Sequence, residues 1–143
     1  MPAAVSPRIA DFVNALPLKE GLRILEIGCG PGVAAREVSR NIGSGFVLAI
    51  DRSEKAIRLA RTGSEQEIES GRLEFRQVAI EHLKLSARDE LFDMAFAMRV
   101  GALDGRHPEV TRLAIKSIRA ALKPTGRLFI DGGNPLREVS LQP

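Results

Sequence analysis

The chain is poor in the residues that support several kinds of function. Among its 143 residues are one cysteine, no tryptophan, no tyrosine and six phenylalanines. A single thiol, Cys29, excludes an intrachain disulfide and a cluster of thiolate metal ligands, so no metal site is predicted. Proteins that bind single-stranded nucleic acid stack the bases on aromatic rings, and scattered phenylalanines argue against that role.

Long apolar runs and blocks of like charge are also missing. No apolar run has the length that a membrane span needs. The first residues carry charges at Arg8 and Asp11 inside their apolar pattern, unlike a signal peptide. We therefore expect a cytoplasmic protein without a membrane contact. The net charge of +3 comes from arginines spread along the chain, which favours a solvated basic surface over a nucleic-acid-binding face.

Apolar runs and helical periodicity alternate along the chain, which has the length of one domain, residues 1–143. Strands are predicted over residues 23–27, 46–50, 73–78, 92–98 and 127–131, and helices over 9–16, 32–42, 53–68 and 108–122. Residues 1–20 form a lead-in with the first helix, and 132–143 form a tail. The alternation predicts an α/β fold, doubly wound, with a mainly parallel five-stranded sheet and helices on both faces.

The strongest pattern is a glycine turn between the first strand and the next helix. Gly28, Gly30 and Gly32 follow an apolar run, and the second strand ends in Asp51. Glycines let the backbone turn sharply, and the following helix presents free N–H groups. A carboxylate about 20 residues further on suits the two hydroxyls of a ribose. The pattern therefore predicts a nucleoside site at the carboxyl ends of the strands.

The glycine spacing favours one class of nucleoside ligand. Dinucleotide enzymes place a third small residue where this chain has Val33, and the charge of Glu26 would oppose a pyrophosphate. Both departures favour a cationic or zwitterionic ligand and argue against an NAD-dependent oxidoreductase. The motif resembles that of class I S-adenosylmethionine-dependent methyltransferases, which reads acidic-x-G-x-G-x-G. The resemblance runs from Leu22 to about Asp131. It implies the strand order 3-2-1-4-5, S-adenosylmethionine as cofactor and methyl transfer to a small molecule.

The resemblance also implies roles for the first motif. A loop under the methionine part of the cofactor would consist of Gly28, Cys29, Gly30 and Gly32. Glu26 would fix this loop or engage the methionine ammonium, the alternative being a surface carboxylate. We interpret Cys29 as a small neutral loop residue rather than a nucleophile, because no general base is arranged beside it.

The next two loops would complete the cofactor site. Asp51 is expected to accept hydrogen bonds from the ribose, the alternative being a cap for the helix that begins at Ser53. Arg52 would lie along the adenine edge or reach solvent. Ala79 stands where the family commonly has an acidic residue for the adenine amino group, which leaves backbone groups around Ile80 to contact the base.

The fourth strand resembles the floor of the family's substrate pocket, and we count its Ala97 with the cofactor-binding residues. Arg99 and His107 are candidates for contact with the methyl acceptor. Their alternatives are a salt-bridged arginine and an ordinary loop histidine. The strand lacks the Asn-Pro-Pro-Tyr and Pro-Cys motifs of nucleobase methyltransferases, which favours a small-molecule acceptor. No catalytic residue is assigned.

The carboxyl end is shorter than the resemblance leads one to expect. Family members continue past the fifth strand with a helix and an antiparallel hairpin, whereas only residues 132–143 remain here. We expect a carboxyl-terminally shortened member whose completeness stays open. The alternation in residues 137–141 predicts a short strand that folds back on its own chain or pairs with a neighbour, giving a homodimer through the fifth-strand edge or the tail. A second hypothesis is a non-catalytic domain that binds a nucleoside or a partner protein.

Overall fold

A computed structural model describes residues 5–141, so the first four residues of the predicted lead-in and the last two of the tail lie outside the described range. The helices are α1 (Pro7–Ala15), α2 (Val33–Arg40), α3 (Glu54–Thr62), α4 (Glu65–Glu69) and α5 (Pro108–Ala121). The strands are β1 (Arg23–Ile27), β2 (Phe46–Asp51), β3 (Leu73–Gln77), β4 (Phe92–Ala97), β5 (Leu122–Asp131) and β6 (Leu136–Val139). Short 3-10 turns follow β3 and β4.

All six strands form one sheet in the order β3-β2-β1-β4-β5-β6. The first five are parallel, and β6 runs antiparallel to β5. The predicted order 3-2-1-4-5 is therefore confirmed, and the short strand predicted in the tail is present as β6, one residue earlier at its start and two at its end. Because the parallel strands are aligned, their carboxyl ends meet at one edge of the sheet, where ligands bind in doubly wound folds.

Both faces of the sheet are covered, as predicted for a doubly wound fold. Successive residues of a strand point to opposite faces, so Ile24 packs with α1, α2 and α3 while Leu25 packs with α5. Both side chains are fully buried. Burial of one such side chain contributes about 1.5–3 kcal/mol, which explains why the central strands are apolar almost throughout.

Two element boundaries differ from the sequence-based prediction. The helix expected over residues 53–68 is divided into α3 and α4 at Gly63 and Ser64, because the fully buried Ser64 hydroxyl accepts a hydrogen bond of 2.8 Å from Arg36. The fifth strand begins at Leu122 rather than at residue 127, since Leu122 pairs with Phe92 before an irregularity in the register.

The tail covers the edge of β5 on its own chain. Leu128 lies opposite Val139, and Asp131 lies opposite Leu136. Arg127 and Glu138 add a two-pronged ion pair with N–O distances of 2.8 and 3.1 Å. The prediction of an uncovered fifth-strand edge that pairs with a second chain is therefore wrong, because β6 already satisfies that edge. The alternative, a tail that folds back on its own chain, is the one present, and a homodimer through the tail stays a prediction.

Within residues 5–141, no helix combines the length and the apolar character that a membrane crossing requires. The predicted cytoplasmic location stays a prediction.

Candidate functional site

The loop between β1 and α2 turns through glycines that no other residue could replace without strain. Gly28 has a φ of 72°, and a Cβ there would lie 2.6 Å from Val100 Cγ2. Gly32 has a φ of 87°, and its Cβ would lie 2.9 Å from Phe75 Cζ. The backbone N–H groups of Gly28 and Cys29 both donate to the carbonyl of Ile50, at 2.8 and 2.9 Å. The loop is therefore fastened to the end of β2.

Asp51 ties this loop to the start of α3. Its Oδ2 accepts from the N–H of Gly30 and its Oδ1 from the N–H of Ser53, both at 2.9 Å. Ser53, not Asp51, caps α3, since its Oγ accepts from the N–H of Ala56 at 3.1 Å. Each carboxylate oxygen has a second lone pair, so Asp51 keeps acceptor capacity for a ligand. The alternative role of Asp51 as the cap of α3 is therefore not needed, because Ser53 fills that role.

Glu26 is buried beneath the loop, which rules out the surface carboxylate weighed above. It is 3% exposed, and its Oε1 has no hydrogen-bond partner among the described residues. Burial raises its pKa well above the ordinary value, the negative charge of Asp51 raises it further, and the charge of Arg36 partly opposes both. An unpaired buried acceptor is costly, so this carboxyl group is prepared for a positively charged or hydrogen-bond-donating partner.

Arg36 was not singled out from the sequence, yet it supports the loop from below. It is 6% exposed, and its Nη1 donates to the carbonyl of Pro31 at 3.0 Å and to Ser64 Oγ at 2.8 Å. Burial lowers the pKa of the guanidinium, while the charges of Glu67 and Glu26 oppose that shift. No sequence signal marks Arg36, because helical periodicity treats an arginine as a surface residue.

Cys29 is an inert member of the loop, in agreement with its interpretation as a small neutral residue. Its side chain is 6% exposed, and its thiol lies 3.5 Å from the carbonyl of Gly30. Burial raises the pKa of the thiol, and the negative charges of Glu26 and Asp51 raise it further. Only the thiolate is a strong nucleophile, and these surroundings suppress it.

A cavity of about 520 Å³ opens over the carboxyl edge of the sheet, and we call it the edge cavity. Its size lies in the range of ligand pockets. Its lining comes from the carboxyl ends of β1 and β2, the four loops that follow β1 to β4 and the start of α5: Ile27, Gly28, Ile50, Asp51, Arg52, Val78, Ala79, Ile80, Glu81, Arg99, Val100, Gly101, Ala102, Arg106, His107 and Val110. Seven sequence-predicted residues are thus brought together: Gly28, Asp51, Arg52, Ala79, Ile80, Arg99 and His107.

Five predicted residues do not line the edge cavity. Glu26, Cys29, Gly30 and Gly32 belong to the strand end and loop beside it, and Ala97 lines a neighbouring cavity instead. Sequence reasoning did not count Glu81 among the site residues, yet it lies in the wall of the edge cavity, two residues after Ala79. Glu81 belongs to the 3-10 turn Ile80–His82, which directly follows Ala79. A displaced acidic residue in the same loop was the available signal.

The neighbouring cavity also has a volume of about 520 Å³ and lies over the ends of β4, β5 and β6. We call it the arginine cavity. Its lining consists of Ala97, Arg99, Val100, Leu103, Asp104, Arg106, Ile130, Asp131, Gly132 and Arg137. Arg99, Val100 and Arg106 line both cavities, so the two are separated by a single wall.

Asp93 lies away from both cavities. Its Oδ1 accepts from Lys123 Nζ at 2.8 Å and its Oδ2 from the N–H of Arg23 at 2.9 Å, at the amino end of the sheet. These bonds and charges lower its pKa although partial burial opposes them. His82 is exposed, and within the described part of the chain no group of three or more His, Cys, Asp or Glu residues is arranged to hold a metal ion.

Comparison with known proteins agrees with the fold and the first motif. A family model described as a methyltransferase domain matches residues 18–141. The chain therefore belongs to the methyltransferase domain family, which confirms the resemblance to class I S-adenosylmethionine-dependent methyltransferases and leaves no support for the oxidoreductase alternative.

Individual relatives are more distant. The ubiquinone biosynthesis O-methyltransferase of Rhizobium etli is 33% identical over 120 residues, which cover 84% of this chain and 44% of that protein. The crystal structure of the [4+2]-cyclase SpnF has a TM-score of 0.69 and 31% identity, covering 86% of this chain and 43% of that one. An S-adenosylmethionine-dependent methyltransferase from Mesorhizobium loti has a TM-score of 0.68 and 28% identity, covering 87% and 53%. The chain thus spans less than half the length of the curated relatives it matches over most of its own length.

Proposed function

We propose that this chain binds S-adenosylmethionine in the edge cavity and transfers its methyl group to a small molecule. The observation that carries the proposal is the glycine loop after β1, which is held to the end of β2 by hydrogen bonds. Asp51, in the lining of the cavity, joins the loop to the start of α3, and Glu26 is buried at the end of β1 with its Oε1 unpaired. Membership in the methyltransferase domain family supports the same conclusion.

The residues present fit this cofactor chemically. A Cβ at Gly30 would meet no atom within 4 Å, so the loop surface there is open to a ligand. We propose that the free lone pairs of Asp51 accept from the ribose hydroxyls and that Glu26 balances the positive charge of the methionine ammonium. Backbone groups at Ala79 and Ile80, with the Glu81 carboxylate, would face the adenine, and the stem of Arg52 would cover its edge.

The reaction asks the protein mainly for positioning. When bound, the cofactor would supply an activated methyl group carried on a positively charged sulfur. The rigid loop fixes the donor side, and the wall of Arg99, Val100 and Arg106 orients the acceptor side. Alignment and exclusion of water account for a large part of catalysis in such a transfer.

A second candidate is a nucleoside-binding domain with no methyl transfer. Two observations favour it: Ala79 replaces the expected acceptor for the adenine amino group, and a structure with the same fold is that of a [4+2]-cyclase. The relatives named as O-methyltransferases favour the first candidate. A small-molecule acceptor, a homodimer through the tail and a cytoplasmic location are also part of this proposal.

Titration calorimetry with S-adenosylhomocysteine and with NAD tests the binding site. We expect binding of the first and not the second, and a ligand at a hundredfold its Kd should stabilise the fold by about 2.7 kcal/mol. Asp51→Ala should weaken binding by about 1.5–3 kcal/mol, while Asp11→Asn, on the exposed side of α1, should leave it unchanged. Binding of NAD alone, or full affinity in Asp51→Ala, would refute the site. Transfer of labelled methyl to a panel of phenols, amines and small acids then separates the two candidates.

A further inference from the structure

The arginine cavity carries positive charge that the protein does not neutralise internally. Three arginines and two aspartates line it, which leaves one net positive charge. Arg106 is paired with Asp104, with an Nε–Oδ2 distance of 2.7 Å. Asp131 is engaged by a backbone group, since its Oδ1 accepts from the N–H of Arg99 at 3.0 Å. Among the residues the structure describes, the guanidinium groups of Arg99 and Arg137 form neither a hydrogen bond nor an ion pair.

The backbone holds Arg99 in a conformation that costs energy. Its φ is 56°, and it is the one residue other than glycine with a positive φ in the described part of the chain. A side chain in this region costs about 1–2 kcal/mol, and the bond to Asp131 compensates part of that cost. Strain of this kind is typical of sites where a side chain must be aimed. Here it presents the guanidinium at the end of β4, in the wall shared by the two cavities.

The rest of the lining limits what the ligand can be. The lining also includes four apolar residues, Ala97, Val100, Leu103 and Ile130, of which Ala97 and Ile130 are buried. A lining that combines apolar residues with two unpaired guanidinium groups suits a small molecule that has an apolar body and an anionic group. Arginine presents its donors as a planar fork, which matches the two oxygens of a carboxylate. The shared wall brings such a ligand directly against the edge cavity.

We propose that the arginine cavity binds the methyl acceptor, and that the acceptor is a small apolar acid whose carboxylate or similar oxyanion is held by Arg137 and Arg99. This inference rests on the proposed function, because it takes the edge cavity as the cofactor site. Arg137 extends from β6, so the strand formed by the tail supplies a residue of the acceptor site.

A titration with matched probes tests the acceptor class. Benzoate and benzyl alcohol have similar apolar bodies and differ in charge, and their affinities are measured by NMR on the full chain saturated with S-adenosylhomocysteine. We expect benzoate to bind at least about tenfold more tightly, the lower end of what charge-assisted hydrogen bonds contribute. Arg137→Gln should abolish most of this preference. Arg58→Gln removes the same charge from an exposed position on α3 that lines neither cavity, and it should keep the preference.

Other outcomes would contradict the anionic acceptor, the arginine cavity as its site, or the cofactor site itself. Equal binding of the two probes by the unaltered chain overturns the anionic acceptor, and this comparison needs no variant. If the preference for benzoate survives Arg137→Gln, or is lost equally in Arg58→Gln, the carboxylate of benzoate is not bound in the arginine cavity. The affinity for S-adenosylhomocysteine is measured in the same samples: its absence refutes the proposed function, whereas its presence without a benzoate preference refutes only the acceptor class.

Discussion

The carboxyl edge of the sheet is built differently over β1–β3 and over β4–β6. Over the first three strands, bonds join loops from different strands: Gly28 and Cys29 to Ile50, Gly30 to Asp51, and the N–H of Val78 to the carbonyl of Asp51. Over the last three strands, the Arg99–Asp131 bond joins two strand ends, and the short turn after β4 is held mainly by bonds within itself. Many hydrogen bonds between loops suit the region over β1–β3, where we propose that the cofactor binds. Fewer such bonds leave the region over β4–β6 more tolerant of substitution, and there we propose that the acceptor binds.

The largest expected effect is a loss of stability from overpacking the contact between the two regions, where Gly28 meets Val100. Gly28→Ala places a methyl group against Val100, across the boundary between them, and also forces a left-handed conformation on alanine. Overpacking costs about 1–3 kcal/mol and the backbone strain about 1–2 kcal/mol. We therefore expect the free energy of unfolding, measured by urea denaturation without ligand, to fall by about 2–5 kcal/mol.

Gly21→Ala is the matched control for this prediction. Gly21 has a φ of 87°, and a Cβ there meets nothing within 4 Å, so only the backbone strain should appear. Adding Val100→Ala to Gly28→Ala should restore part of the overpacking loss. If Gly28→Ala costs no more than Gly21→Ala, the contact across the boundary does not constrain the loop.

Glu26→Gln should act in opposite directions on stability and on cofactor affinity. Because the folded-state pKa of Glu26 is raised, its contribution to stability is complete below the unfolded value of about 4.3 and is lost as the pH rises through the folded value. The unaltered chain should therefore lose stability over that interval, and the variant should lack this slope and be more stable at neutral pH. Its affinity for S-adenosylhomocysteine should fall about 10- to 150-fold.

Urea denaturation from pH 4 upward and calorimetry at neutral pH measure the two effects. Glu69→Gln, at an exposed position in α4, should change neither. A Glu26→Gln variant that is less stable than the unaltered chain at neutral pH would show that the carboxylate has a partner in the free protein. Unchanged affinity would remove Glu26 from the cofactor site.

A smaller effect is expected from the support beneath the loop. Ser64→Ala removes one acceptor from the buried Arg36 guanidinium, and an unsatisfied buried donor costs about 1–3 kcal/mol. Ser44→Ala changes an exposed serine in the turn before β2 and should be neutral. If thermal denaturation shows the two variants to be equally stable, solvent replaces the lost partner and Arg36 is not a support.

The smallest effect is expected in the other region, at the ion pair between β5 and β6. Arg127→Gln breaks its bonds to Glu138, but both side chains are exposed, and exposed pairs contribute about 0.2–1 kcal/mol. Urea denaturation should show a loss within that range, decreasing with added salt. A loss above that of Ser64→Ala would contradict the view that this region is the more tolerant one.

The strands and the glycine loop were predictable because each is encoded by neighbouring residues, whereas the strand order was implied by the family resemblance. Apolar runs of strand length, helical periodicity and the spacing from Gly28 to Asp51 are local signals, and the resemblance they carry extends to the parallel sheet. The boundaries that were missed depend on distant partners: α3 ends where Ser64 meets Arg36, and β5 begins early because Leu122 pairs with Phe92.

By itself, the sequence determined which residues form the loop, which carboxylate follows β2, and that the strands are buried on both faces. Only the tertiary structure decided that Glu26 has an unpaired oxygen, that β6 covers its own sheet, and that Arg99 and Arg137 share a cavity. The reason is physical: a pattern along the chain records how each residue suits its own strand or helix. Burial without a partner, and charge without a neutralising neighbour, arise from residues far apart in the chain that meet only when the sheet has formed.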